Sequence, residues 1–184
     1  MSKVAVVTDS VACLPPEIVK EYTIRVVPCL LTIDGKAYRD EVDISADDFW
    51  KRYHTMKQIS TSGASPGGFL EAFKEVGKEA KDIICITISN ALSISYKSAI
   101  QAREIIRAEN PEVNIEVFDS KLVLGAQGYI VMEAARAAKA GKNAAEIGKI
   151  VQDMIGRAKW VAGLRTKQTA KTGRVPESVY EGTA

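Results

Sequence analysis

An α/β protein with a mainly parallel sheet and helices on both faces is what this 184-residue sequence predicts. Three observations carry that expectation. Short apolar runs rich in β-branched residues alternate with longer amphipathic runs, the order that builds a parallel sheet. Two of the runs, "VAVV" and "IICI", are apolar throughout and suit buried strands. Finally, three strand ends carry small polar residues: "TDS" at 8–10, "ISN" at 88–90 and "FDS" at 118–120. In open α/β sheets ligands lie outside the carboxyl ends of strands. Each strand end also has a plainer reading, because Asp and Ser after a strand commonly cap the next turn.

The elements follow in order. Val4 to Val7 form the first strand, and "LPPEIVKEY" reads as a helix with a proline in its first turn. "IRVVPCLLTIDG" is a second extended run, with Pro28 marking a strand edge or a bend. Asp34-Gly35 suits a tight hairpin turn. "SADDFWKRYHTM" is a helix with Ser45 as N-cap, acids in its first turn, and Phe49, Trp50, Tyr53 and Met56 as its apolar stripe. "FLEAFKEVGKEA" places Phe69, Leu70, Phe73 and Val76 at helical spacing. "DIICITIS" is a strand, "SISYKSAIQAREIIRAE" a helix and "VNIEVFDS" a strand. "LVLGAQGYIVMEAARAAKAG" is a long helix closed by Gly141, and "NAAEIGKIVQDMIGRA" a helix capped by Asn143. "WVAGL" suggests a last short strand.

Bulk properties narrow the function classes. A hydrophobic fraction of 46%, a charged fraction of 26% and a net charge of +2 describe an ordinary globular protein, with no signature of a nucleic-acid or anionic-membrane partner. Between Met154 and Pro176 every charged residue is basic; a solvated face is the plainer reading and a docking patch the other. Cys13, Cys29 and Cys85 are odd in number and lack metal-ligand spacing, which argues against a disulfide framework or a zinc site. No signal peptide and no bilayer-length apolar run is evident, so the chain reads as cytoplasmic.

The hydroxyl-rich stretch "TSGASPGGF" at 61–69 calls for explanation. Ser65 and Pro66 fit a helix N-cap followed by a first-turn proline. Thr61 and Ser62 are left over, and two hydroxyls before a glycine can point into a crevice. A second cluster, "ISNALSISY", places Ser93 as the expected cap of the next helix, with Ser89 and Ser95 nearby. A helix start offers N–H groups and partial positive charge to an anion. With no Lys or Arg before Lys97, a carboxylate suits this cluster better than a phosphate. No nucleophile elbow, Walker loop or dinucleotide fingerprint is present, and the single histidine, His54, is expected at the surface.

Together "VTDSVACLPPEIV", "VVPCLLTIDGKAYRDEVDIS", "TSGASPGGF", "ISNALSISYKSA" and "VFDSKLVLGAQGYIVMEAA" resemble, in order, the DegV family of bacterial fatty-acid-binding proteins. The resemblance implies an N-terminal α/β lobe followed by a second lobe, with an acyl chain in an apolar tunnel. It implies a carrier rather than an enzyme, without cofactor or metal. The carrier would present a long-chain fatty acid to a separate fatty-acid kinase for phospholipid synthesis. By matching positions, Thr61 and Ser93 would bind the fatty-acid carboxyl, with Ser62 and Ser95 as secondary candidates. Each buried CH₂ contributes about 0.8 kcal/mol, so the tail can supply most of the affinity. The sequence departs from the family pattern at Gly63-Ala64, at Asn90 and Ile94, and at 167–169. Residues 1–160 are then expected as the lipid-binding lobe and 161–184 as the truncated start of the second lobe or a disordered tail. A small serine-dependent α/β enzyme and an interaction module that has lost lipid binding are the alternatives.

Overall fold

Residues 3–161 are described in the computed structural model of the chain. Four strands, β1 (Val4–Asp9), β2 (Arg25–Val27), β6 (Asp82–Thr87) and β7 (Asn114–Asp119), form a sheet of order β2-β1-β6-β7. Every neighbouring pair is parallel. Three further strands, β3 (Leu30–Ile33), β4 (Lys36–Arg39) and β5 (Ile59–Ser62), form an antiparallel sheet of order β4-β3-β5.

Side chains alternate across the parallel sheet, and the alternation decides which helices lie where. Val4, Val6, Ile84, Ile86 and Phe118 face α5 (Gly125–Lys139) and α6 (Ala144–Arg157), meeting Ile130, Val131, Ala134, Ile147 and Val151. The partly buried Ile18 and Val19 of α1 (Pro16–Glu21), and Tyr22 at its C-cap, pack against the same cluster. Val7, Ile83, Cys85 and Ile115 face the other way. They meet Phe69 and Phe73 of α3 (Pro66–Val76) and Ala99, Ala102 and Ile106 of α4 (Ser95–Glu109). Each large side chain buried here contributes about 1.5–3 kcal/mol. The expected α/β architecture, with helices on both faces of a parallel sheet, is the one found.

The expected long run over 24–35 is in fact two strands in two sheets. Pro28 sits between β2 and β3, where its missing N–H interrupts pairing and the chain changes sheet. Asp34 and Gly35 make the hairpin turn with φ of 50° and 84°. Asp34 then accepts from the N–H groups of Lys57 and Gln58 at 3.0 and 2.9 Å, drawing the chain alongside β3. The resulting strand, β5, was not expected from the sequence, and it carries Thr61 and Ser62.

Two other expectations are corrected. α2 (Ala46–Arg52) has its Ser45 cap, which accepts from Asp48 N, but it buries none of its residues. Its aromatic stripe packs on itself, with ring centroids 5.1 Å apart for Phe49–Trp50 and 5.3 Å for Trp50–Tyr53. Ser93 is not the N-cap of α4. That position is Ile94, which has no side-chain capping bond, and the helix starts at Ser95. The Asn143 cap of α6 is found as a full capping box with Glu146. The expectations for 161–184, for most of "WVAGL" and for the basic residues after Lys159 concern positions outside the described residues, apart from Trp160 and Val161.

Candidate functional site

The chain leaves β1 toward β2 on one side of the sheet, while β6 pairs with β1 on the other. The crevice at the carboxyl ends of β1 and β6 is thus a topological switch point, where such sheets bind ligands. A groove of about 320 Å³ opens beside the loop that leaves β6. Thr61, Ser62 and Gly63 line one wall; Asn90 to Ile94 and Lys97 line the other. Thr61 and Ser62 are exposed, Ser93 is half-buried, and Ser95 is fully buried.

Two sequence-distant segments meet here because Gly63 has no side chain. A Cβ at that position would stand 2.5 Å from Ser93 Oγ, 2.9 Å from Ser95 Oγ and 3.0 Å from Ile94 Cγ1. The next residue fastens the contact: Ala64 N donates to Ser95 Oγ at 3.1 Å. Ser95 Oγ also lies 3.2 Å from Ser93 Oγ. Ser95 therefore ties the two walls together from beneath, while Ser93 faces the groove. Ser93 Oγ further accepts, at 3.4 Å, from the N–H of Ser95.

The loop carrying Ser93 has its backbone donors satisfied in succession. Ile88 N donates to Asp9 Oδ2 at 2.9 Å and Asn90 N to Asp119 Oδ1 at 3.1 Å. Ser89 N donates to Leu122 O, and Ala91 N to Ser89 Oγ. Leu92 N and Ser93 N both donate to Ser89 O. A loop bonded this way holds its side chains in one geometry.

Below the groove the surroundings are buried and polar. Asp9 is fully buried and accepts from Gln127 Nε2 at 3.1 Å as well as from Ile88 N. Burial raises its carboxyl above the ordinary value, against the lowering effect of the Ile88, Gln127 and Val11 hydrogen bonds. Cys29 lies close by, and its N–H donates to Ser10 Oγ at 3.1 Å. Burial first, and the Asp9 charge second, push its thiol up to about 11. It is a neutral thiol at physiological pH.

Of the expected site residues, the structure brings Thr61, Ser62 and Ser93 to the groove and sets Ser95 behind it. Ile94 lines the groove 55% exposed, with an ordinary φ of −78°, so it neither packs under the helix nor strains the backbone. Gly63 and Lys97 were not expected. Lys97 had a signal: it follows Ser93 by four residues at a helix start, a spacing that shares one face. His54 is exposed, in ring contact with Tyr53, and is not among the groove's lining residues. Among the described residues no helix is long and apolar enough to cross a membrane.

Fold and groove define a doubly wound α/β lobe that presents a hydroxyl-lined groove at its switch point. The family model described as "Uncharacterised protein, DegV family" matches residues 3–177. The chain belongs to the DegV family. A DegV domain-containing protein of Caldanaerobacter subterraneus is 37% identical over 161 residues, covering 88% of this chain and 56% of that protein. The structure is similar to that of DegV, a fatty acid binding protein from Bacillus subtilis, with a TM-score of 0.75 and 28% identity over 85% of this chain and 55% of that one. It is also similar to a stearic acid-binding protein from Eubacterium ventriosum, with a TM-score of 0.74 and 28% identity over 83% and 52%. The chain thus spans little more than half the length of these relatives.

Proposed function

We propose that this chain is a fatty-acid carrier that holds a long-chain fatty acid by its carboxyl group in the Thr61–Ser93 groove and presents it to a fatty-acid kinase for phospholipid synthesis. The observation that carries the reading is the junction of the two hydroxyl motifs. Gly63 and Ala64 seat directly on Ser93 and Ser95, although 31 residues separate Ala64 from Ser95. Hydroxyls donate to a carboxylate without further activation, and charge-assisted bonds of this kind are stronger than neutral ones. The start of the 15-residue helix α4 adds partial positive charge, and Lys97 adds a full one.

The printed descriptions of the Bacillus subtilis and Eubacterium ventriosum structures, as fatty-acid-binding and stearic acid-binding proteins, support the ligand class. The kinase partner rests on the family resemblance. Among the described residues, the groove's lining includes no histidine, thiol or carboxylate side chain, which favours a binder over an enzyme. Leu92 and Ile94 are the larger apolar side chains among its described lining residues. In this reading Ser62 is a secondary contact, and Ser95 supports Ser93 through the bond between their hydroxyls. Native mass spectrometry of the purified protein tests the reading. A co-purified or added acid of lipid mass is the expected result; a protein that stays ligand-free in the presence of long-chain fatty acids would overturn it.

A further inference from the structure

The acids at the ends of β1 and β7 stand on either side of the strand that leads into the groove. Parallel pairing sets β1 against β6 and β6 against β7, so Asp9 and Asp119 flank the exit of β6. Each accepts a backbone N–H from that exit, Asp9 from Ile88 at 2.9 Å and Asp119 from Asn90 at 3.1 Å. Neither caps an α-helix: Asp9 also receives the N–H of Val11 in the turn after β1, and α5 has no side-chain cap at its start. Asp9 is anchored from the opposite face by Gln127 of α5, whose Nε2 also donates to Thr8 Oγ1 at 3.2 Å. Asp119 is anchored by Lys121 N at 2.9 Å. Among the described residues no cation forms a salt bridge with either acid, so neither is committed to an ion pair.

From these contacts we infer that Asp9 and Asp119 are positioning residues for the head-group site: they grip the β6–α4 loop from both sides and fix Ser93 against Gly63. The inference rests on the carboxyl-binding reading above and deepens it. The path is short. Ile88 and Asn90 bracket Ser89, and the carbonyl of Ser89 accepts from Ser93 N at 3.1 Å. Releasing either end lets the Ser89 carbonyl move, and Ser93 moves with it. Gln127 Oε1 is buried without a hydrogen-bond partner among the described residues. An amide at position 9 could turn its NH₂ toward that oxygen and still offer an acceptor to Ile88 N.

The test compares affinity for palmitic acid with affinity for hexadecanol by titration calorimetry. The two share an acyl chain and differ in the head group, so their ratio reports the site and not the tail. Asp9→Ala and Asp119→Ala are expected to lower the acid-over-alcohol preference about three- to ten-fold, the scale of one lost hydrogen bond. Affinity for the alcohol is expected to stay unchanged. Asp9→Asn is expected to keep most of the preference. Ile83→Val, a core change away from the groove, is expected to lower the melting temperature and leave the preference intact. Should Asp9→Ala fail to fold, the half-buried Asp119 decides. A wild-type preference for the acid that survives in Asp119→Ala, or in Asp9→Ala where it folds, overturns the positioning role and leaves the carboxyl reading standing. A wild-type protein with no preference for the acid ends both.

Discussion

Gly63→Ala asks whether the two hydroxyl motifs must touch. The added Cβ would lie 2.5 Å from Ser93 Oγ, about 0.9 Å inside the 3.4 Å at which ordinary contact begins. Rotation of Ser93 alone does not relieve this, because Ser95 Oγ is also too close at 2.9 Å and is held by Ala64 N. The 61–64 segment and the start of α4 must therefore separate. Overpacking of this kind costs about 1–3 kcal/mol. For a chain of this size that corresponds to a melting temperature lower by about 2–12 °C. Separation also takes Ser93 away from Thr61, so fatty-acid affinity should fall by at least the two- to twelve-fold expected of one lost hydrogen bond, roughly. Thermal melting and titration calorimetry on the same preparation measure both. Adding Ser93→Ala removes the closest clash, so the double variant should regain part of the lost stability but none of the lost affinity. A Gly63→Ala protein that melts and binds like wild type would refute the close-seating argument.

Other perturbations follow from the same geometry. Ile94→Gly should tighten fatty-acid binding while lowering the melting temperature, because Ile94 stands over the groove instead of under the helix; weaker binding in titration would show that Ile94 grips the ligand and does not crowd it. Asp9 has a folded-state carboxyl raised above its value of 3.8 in the unfolded chain, so the folded state holds the proton more tightly. Its favourable contribution is complete below 3.8 and is lost as pH rises through the raised value. Asp9→Asn should accordingly gain melting temperature relative to wild type as pH increases from acid to neutral, and a pH-independent difference between the two would contradict this. Among the cysteines, Cys13 alone is exposed, while Cys29 and Cys85 are buried. Alkylation of native protein should label Cys13 first, but more slowly than a free thiol at the same pH, since burial and then the charges of Asp40, Glu41 and Asp9 raise its thiol. Equal labelling of all three in the native state would contradict the described burial.

The parallel sheet and its helices were legible because period-2 and period-3.6 patterns are local. Val4 to Val7 and Ile83 to Ile86 announce buried strands, and Asn143 announces a capped helix. β5 was hidden because Ile59 to Ser62 carries one apolar residue and three hydroxyls, and only pairing with β3 makes it a strand. The aromatic stripe of α2 had helical spacing, yet none of the helix's residues is buried among the described residues, which spacing cannot report. Thr61 and Ser62 stood out as hydroxyls that capping left over, and Ser93 as a hydroxyl at a helix start, whereas Gly63 could not stand out. Its role is the absence of a side chain facing residues thirty positions later, a fact of tertiary packing. The acids at 9 and 119 were visible as a recurrence at strand ends. That they hold a third strand's loop emerges only from the β1-β6-β7 order.

The proposed carboxyl clamp has Thr61 and Ser93 together hold a fatty-acid carboxyl group. Titration of purified protein with palmitic acid, comparing wild type with Thr61→Val, Ser93→Ala and the double variant, tests it most directly. Each single change should weaken binding by about 0.5–1.5 kcal/mol, and the double change by more than either alone. Affinity unchanged across all three variants, in proteins that melt normally, would contradict the claim.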